Sequence, residues 1–122
     1  MTINRKTMQT ELRTSVPDFV IDPEWAGDNL TYLIINDLVR YLCEQAQLSN
    51  WDILRQGLGF LERSLEGQDS EMRDLVHEAL ESFLECASVG EIKNCLGPQT
   101  LTLWNEFMEP IYQTILRDKN LR

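Results

Sequence analysis

Few residues of this chain could do chemistry. His77 is the only histidine among 122 residues. It heads the run His77-Glu78-Ala79-Leu80-Glu81, which shares its first half with the HExxH zinc pattern. That pattern needs a second imidazole one helical turn on, where this chain has Glu81, and no other histidine can complete the site. Asp74 and His77 have the i, i+3 spacing of a carboxylate–histidine half-site in di-iron bundles, but such bundles need two of these motifs. His77 is therefore predicted to be solvent-exposed and paired with Asp74 or Glu81, with no metal and no cofactor. The three cysteines, Cys43, Cys86 and Cys95, are odd in number and lack CxxC or zinc-like spacing. They are predicted to be buried, reduced thiols that behave as small hydrophobes. A serine or cysteine nucleophile needs a base beside it. The chain has no GxSxG, P-loop or GxGxxG motif to supply one or to cradle a phosphate. Gly57-Leu58-Gly59 falls within helical periodicity and is predicted to serve packing. No catalytic residue is predicted, and the chain is not read as an enzyme.

The pattern that remains is one of charge. Glu71, Asp74, Glu78, Glu81 and Glu85 are separated by three, four, three and four residues, which places five carboxylates on one face of a helix. Asp74–Glu78 and Glu81–Glu85 are like-charge i, i+4 pairs, each costing an isolated helix about 0.2–0.5 kcal/mol. Glu62, Glu66 and Asp69 extend the negative region backward to residue 62. Two readings stand side by side: a solvated face, or a docking surface for a basic protein. Aromatic anchors beside such a face would favour docking. Of Trp25, Trp51 and Trp104, Trp25 is the one predicted to lie near the surface, in a proline-flanked connector.

The elements that position these residues follow from apolar periodicity. Asn4–Arg13 is a short helix carrying Met8 and Leu12. Residues 16–23 contain two prolines and form an extended connector that Phe19, Ile21 and Trp25 could pin across the helices. A strong helix starts at Asp28 or Asn29 and runs to Ala46, with Leu30, Leu33, Ile34, Leu38, Tyr41, Leu42 and Ala46 inward. Ser49 or Asn50 caps the next, which packs Trp51, Leu54, Leu58, Leu61 and Leu65. After a turn at 66–68, a helix from Asp69 or Ser70 carries Met72, Val76, Ala79, Leu80, Phe83 and Ala87. Ser88 and Glu91 form a capping-box pattern opening a short helix that ends at Gly97-Pro98. The last helix, Gln99–Arg117, has Leu103, Phe107, Ile111 and Ile115 as its inner row and a second row of Leu101, Trp104, Met108 and Tyr112 beside it. Pro110 should kink or split it. No segment alternates with period two. The predicted fold is all-α, an antiparallel helical bundle of four to five main helices. It forms a single domain over 1–122, with a short helix and connector in 1–27 and the helical core in 28–117.

Twenty acidic residues face eleven basic ones, for a net charge of -9. This balance disfavours nucleic acid and anionic membrane surfaces and favours a positive partner. No apolar run is long enough for a signal peptide or a membrane span, so the chain is predicted to be cytoplasmic. Through Val76–Glu85, Leu96-Gly97-Pro98 and Trp104, residues 50–105 resemble small bacterial helical proteins of the kind found as immunity partners in contact-dependent inhibition and related polymorphic toxin systems. That resemblance implies a small cytoplasmic protein without activity of its own that binds and neutralises a cognate toxin, often a basic nuclease. It transfers no binding residue. The alternative is a non-catalytic helical adaptor or regulatory subunit that binds its partner through an apolar patch.

Overall fold

The computed structural model describes residues 2–120; Met1, Leu121 and Arg122, which the single-domain reading includes, lie outside them. Helix α1 (Met8–Ser15) opens on an Asn4 turn, in which the Asn4 side chain accepts from the Lys6 and Thr7 amides at 2.9 and 3.1 Å. Met8 and Leu12, one turn apart, are fully buried, and Val16, Phe19 and Ile21 continue the buried line through the connector. The connector is shorter than predicted. Asp22 accepts from the Glu24 amide and Pro23 takes the first helical position, so Pro23–Gly27 forms a short helix, α2. Trp25 therefore sits on a helix, half-buried against the core, and not on an extended strand of chain. Gln9 latches α1 to this corner by donating to the Ala26 carbonyl and the Asn29 side chain.

Helices α3 (Thr31–Gln47), α4 (Trp51–Glu66) and α5 (Ser70–Phe83) each pack on the other two. Ile34, Ile35, Leu38, Val39, Leu42 and Ala46 form the buried stripe of α3. Leu30 and Leu33, predicted to face inward, are exposed together with Tyr32: α3 starts only at Thr31, and its first turn buries Thr31 and Ile34 instead. Where α3 crosses α4, a β-carbon on Gly57 would stand 2.5 Å from both methyls of Leu42, so the glycine permits the close approach that its place in the pattern suggested. Gly59 meets only the Arg63 side chain, at 3.4 Å, and has no such role. In the α4–α5 turn the left-handed residue is Gln68 (φ 56°), and Gly67 instead makes room for the Thr2 side chain.

Asp69 caps α5, accepting from the Met72 amide at 3.0 Å. The helix stops at Phe83, and residues 84–88 turn toward α6 (Val89–Asn94). Cys86 in that turn is disulfide-bonded to Cys43 on α3, with Cα atoms 5.9 Å apart. The expectation of three reduced thiols thus holds only for Cys95, which is free and half-buried. The two partners lie 43 residues apart on different elements, a relation that spacing in the sequence does not display. Ser88 occupies the N-cap position of α6 but its side chain makes no capping hydrogen bond, so the predicted capping box does not form.

After Gly97 the backbone is helical in three consecutive segments: α7 (Pro98–Leu103), a π-helical turn (Trp104–Met108) and α8 (Glu109–Asn120). The run predicted as one helix is split, as Pro110 predicts, by a π-helical turn immediately before it. Pro110 has no N–H for the helical ladder, and the wider turn just before it, where the Glu109 amide donates to the Trp104 carbonyl, makes space for its ring. The turn inserts one residue into the helical register. Leu103, Trp104 and Met108 are buried, while Phe107 and Ile111 of the predicted inner row face outward. The buried Trp104 indole donates to Glu109 Oε2 at 2.7 Å, and the same carboxylate accepts from Lys93 of α6 and Gln113, both at 2.8 Å. Burial alone would raise the Glu109 pKa; these hydrogen bonds and the Lys93 charge outweigh it and hold the pKa below its ordinary value. The described residues are all-helical, without strands, and none of their helices is long and apolar enough to cross a membrane.

Candidate functional site

The predicted acidic row is placed mainly by α5. The helix turns Met72, Leu75, Val76, Ala79, Leu80 and Phe83 into the core, which leaves Glu71, Asp74, Glu78 and Glu81 exposed on its other side. Glu85 is also exposed, but it follows the end of the helix and belongs to the turn held by the Cys43–Cys86 disulfide. The row is thus four carboxylates on a helix with a fifth on the adjoining turn. The ion pairs among the described residues are Asp37–Arg40, Asp52–Arg55 and Lys93–Glu109, and none of them involves the row.

The outlying members separate. Glu66 is exposed at the end of α4. Asp69 is committed to its cap. The Glu62 carboxylate reaches from α4 to the start of α7 and accepts from the Gln99 amide at 2.9 Å, the Thr100 amide at 2.8 Å and the Thr100 hydroxyl at 2.9 Å. A carboxylate at a helix N-terminus, bound to otherwise unpaired amides, complements the helix dipole and tethers two elements. Trp25 lines a small depression with Leu33, Asn36, Asp37 and Arg40, residues of α2 and α3 only, so the described contacts do not bring it to the row on α5.

The aromatic beside the row is Phe107, which periodicity had placed in the core. Its ring meets the His77 imidazole at 5.0 Å between centroids, tilted 68° toward an edge-on contact. His77 is therefore half-buried against an aromatic ring, not solvent-exposed and paired with a carboxylate. Two apolar rows one residue apart, both running past Pro110, are the available signal that the register changes there. Trp104 is wholly buried, and Trp51 half-buried.

Beyond the end of the row, a surface cleft of about 550 Å³ opens between the α4–α5 turn and α7, with Asp69, Arg73 and Glu106 as its charged groups. Its lining contains no histidine, serine or cysteine. Among the described residues no three His, Cys, Asp or Glu side chains are grouped so as to hold a metal ion. What this arrangement offers chemically is a negative surface with an apolar margin.

Residues 10–112 match the family described as Domain of unknown function (DUF7674), and the chain belongs to that family. No curated protein and no solved structure matches the chain.

Proposed function

We propose that this member of the DUF7674 family is a non-catalytic binding protein, a bacterial immunity protein that neutralises a basic, nuclease-type toxin by covering its nucleic-acid site. The observation that carries the reading is the row of exposed carboxylates on α5, unneutralised by any described ion pair. The row works against its own helix, since like charges at i, i+4 repel. A cationic partner turns that repulsion into complementarity, which raises the rate of encounter and makes it salt-sensitive. The scaffold we envisage is an antiparallel bundle of α3, α4, α5 and the C-terminal helical run, reversed at the short turns after α3 and α4. The toxin would be met in the cytoplasm, where a disulfide is more often transient than structural.

The test is association kinetics against the partner recovered with this protein from its host. Replacing Glu71, Asp74, Glu78, Glu81 and Glu85 by the corresponding amides should slow association and flatten its dependence on salt. Unchanged rates would remove the acidic face from the interface.

A second reading, an adaptor that docks through an apolar patch, is favoured by the exposed Leu33 beside Trp25, with Leu30 and Tyr32 also exposed at that end of α3 and Val20 78% exposed in the connector. A complex that persists at high salt, and that Leu33→Ser disrupts while the five amides do not, would favour this reading.

A further inference from the structure

The π turn has a consequence for the surface. It rotates the C-terminal helix so that Trp104 and Met108 fill the core, and Phe107 and Ile111, one turn apart, are left 42% and 47% exposed. Phe107 is seated on His77 of α5. On that helix Asp74 stands one turn before His77 and Glu81 one turn after, both exposed. Glu106, beside Phe107, is exposed as well. A short apolar strip of Phe107 and Ile111, backed by the His77 imidazole, is thereby set among Asp74, Glu81 and Glu106.

We propose that this strip is an anchoring site for a cationic amphipathic segment of a protein partner, one that places an apolar side chain between lysines or arginines. The inference deepens the acidic-face reading and rests on it. Charge complementarity selects the occupant: an apolar strip bordered by carboxylates repels acidic and nucleic-acid partners and attracts a basic one. The edge of the site supplies the remaining chemistry. An exposed phenyl face attracts an arginine or lysine head group placed over it, and the aliphatic part of that side chain lies against Ile111. π turns recur at functional sites, and here the turn is what brings the strip to the surface. Trp25, on α2 and packed toward α3, is not part of it.

The probes are two synthetic peptides of equal positive charge and length, one of lysines with leucines at helical spacing and one of lysines with serines in their place. Binding to the full chain is read by fluorescence anisotropy at low salt. The Lys/Leu peptide should bind about tenfold more tightly than the Lys/Ser peptide. Phe107→Ala, and separately Ile111→Ala, should erase most of that difference without altering Lys/Ser binding. Amide replacement of Glu71, Asp74, Glu78 and Glu81 should weaken both peptides. Both apolar side chains are substantially exposed, so the variants should keep the wild-type melting profile; a variant that does not is replaced in the comparison by the other. If neither alanine variant changes Lys/Leu binding while the amides still weaken both peptides, the strip is overturned and the acidic face stands. If the amides change neither peptide, the acidic-face reading fails and takes the strip with it.

Discussion

Glu62 separates structure from binding within the acidic region. Its carboxylate accepts three hydrogen bonds at 2.8–2.9 Å across the α4–α7 contact, two of them from backbone amides that have no partner within their own helix. Hydrogen bonds to a charged group contribute about 1.5–3 kcal/mol each, and bonds sharing one acceptor do not add fully. Gln99 is exposed and water can reach its amide, whereas Thr100 is fully buried and its amide would be stranded. Glu62→Ala should therefore cost about 3 kcal/mol. With an unfolding entropy of roughly 2.1 cal/mol/K per residue, that lowers Tm by about 12 °C for a chain of this length. Glu62→Gln keeps one acceptor oxygen and should lose about half as much. Urea unfolding and calorimetry of both variants, with the exposed Glu66→Gln as control, measure it. The reasoning is refuted if Glu62→Ala unfolds within about 0.5 kcal/mol of the control. It is refuted equally if Glu62→Gln leaves stability intact but slows partner association as much as Glu78→Gln does, because the carboxylate would then belong to the docking surface.

The two α4 glycines should respond with opposite signs. Gly57→Ala forces the buried Leu42 to move and should lose about 1–2 kcal/mol net, whereas Gly59→Ala meets only ordinary contact and should gain about 0.5–1 kcal/mol from helix propensity; chemical denaturation of the pair checks both. Glu109→Ala strands the Trp104 indole N–H and frees Lys93, and should cost about 2–3 kcal/mol. Because the folded pKa of Glu109 lies below its ordinary 4.5, its ionised form stabilises the fold above about pH 4.5. That stabilisation fades as pH falls through the depressed value, so the urea midpoints of wild type and Glu109→Gln should converge in acid. Thiol titration of the unfolded, unreduced protein should find Cys95 alone, and Cys43→Ala with Cys86→Ala should lower stability by up to about 4 kcal/mol from the chain entropy of a 43-residue separation. Three titratable thiols in that sample would show that the bridge does not form.

Legibility followed burial. The rows Met8/Leu12, Leu54/Leu58/Leu61/Leu65 and Met72/Val76/Ala79/Leu80/Phe83 are buried as their spacing predicts, because a helix flanked by others buries the stripe that its period defines. Misreadings fall where a tertiary partner or a break in period intervenes. Leu30 precedes the start of α3, and Leu33 falls between Thr31 and Ile34, which take the buried face. Glu85 keeps the spacing of the row beyond the residue where α5 ends. Phe107 and Ile111 read as inward because they continue the i, i+4 row of Leu103, and one added residue in the π turn brings them to the surface. Glu62 counted as surface charge because its partners, Gln99 and Thr100, are 37 and 38 residues away. The row itself was legible because charge and helical spacing are both local; its aromatic neighbour was not.

The two long-range ties of this fold, Cys43 to Cys86 and Glu62 to Thr100, interleave along the chain, and neither nests inside the other. Helix α5 lies within both spans. Opening it locally would mean working against a charged cap on one side and, while the disulfide is formed, a covalent closure on the other, with its inner face fully enclosed. Its amides should therefore be among the slowest to exchange with solvent, slower than those of α1, which lies outside both spans; hydrogen exchange checks the order. The carboxylates of α5 are thus presented on one of the least yielding elements of the molecule. A partner of the kind proposed would find charges whose backbone spacing is already fixed, leaving the side-chain rotamers as the ordering entropy to be lost on contact.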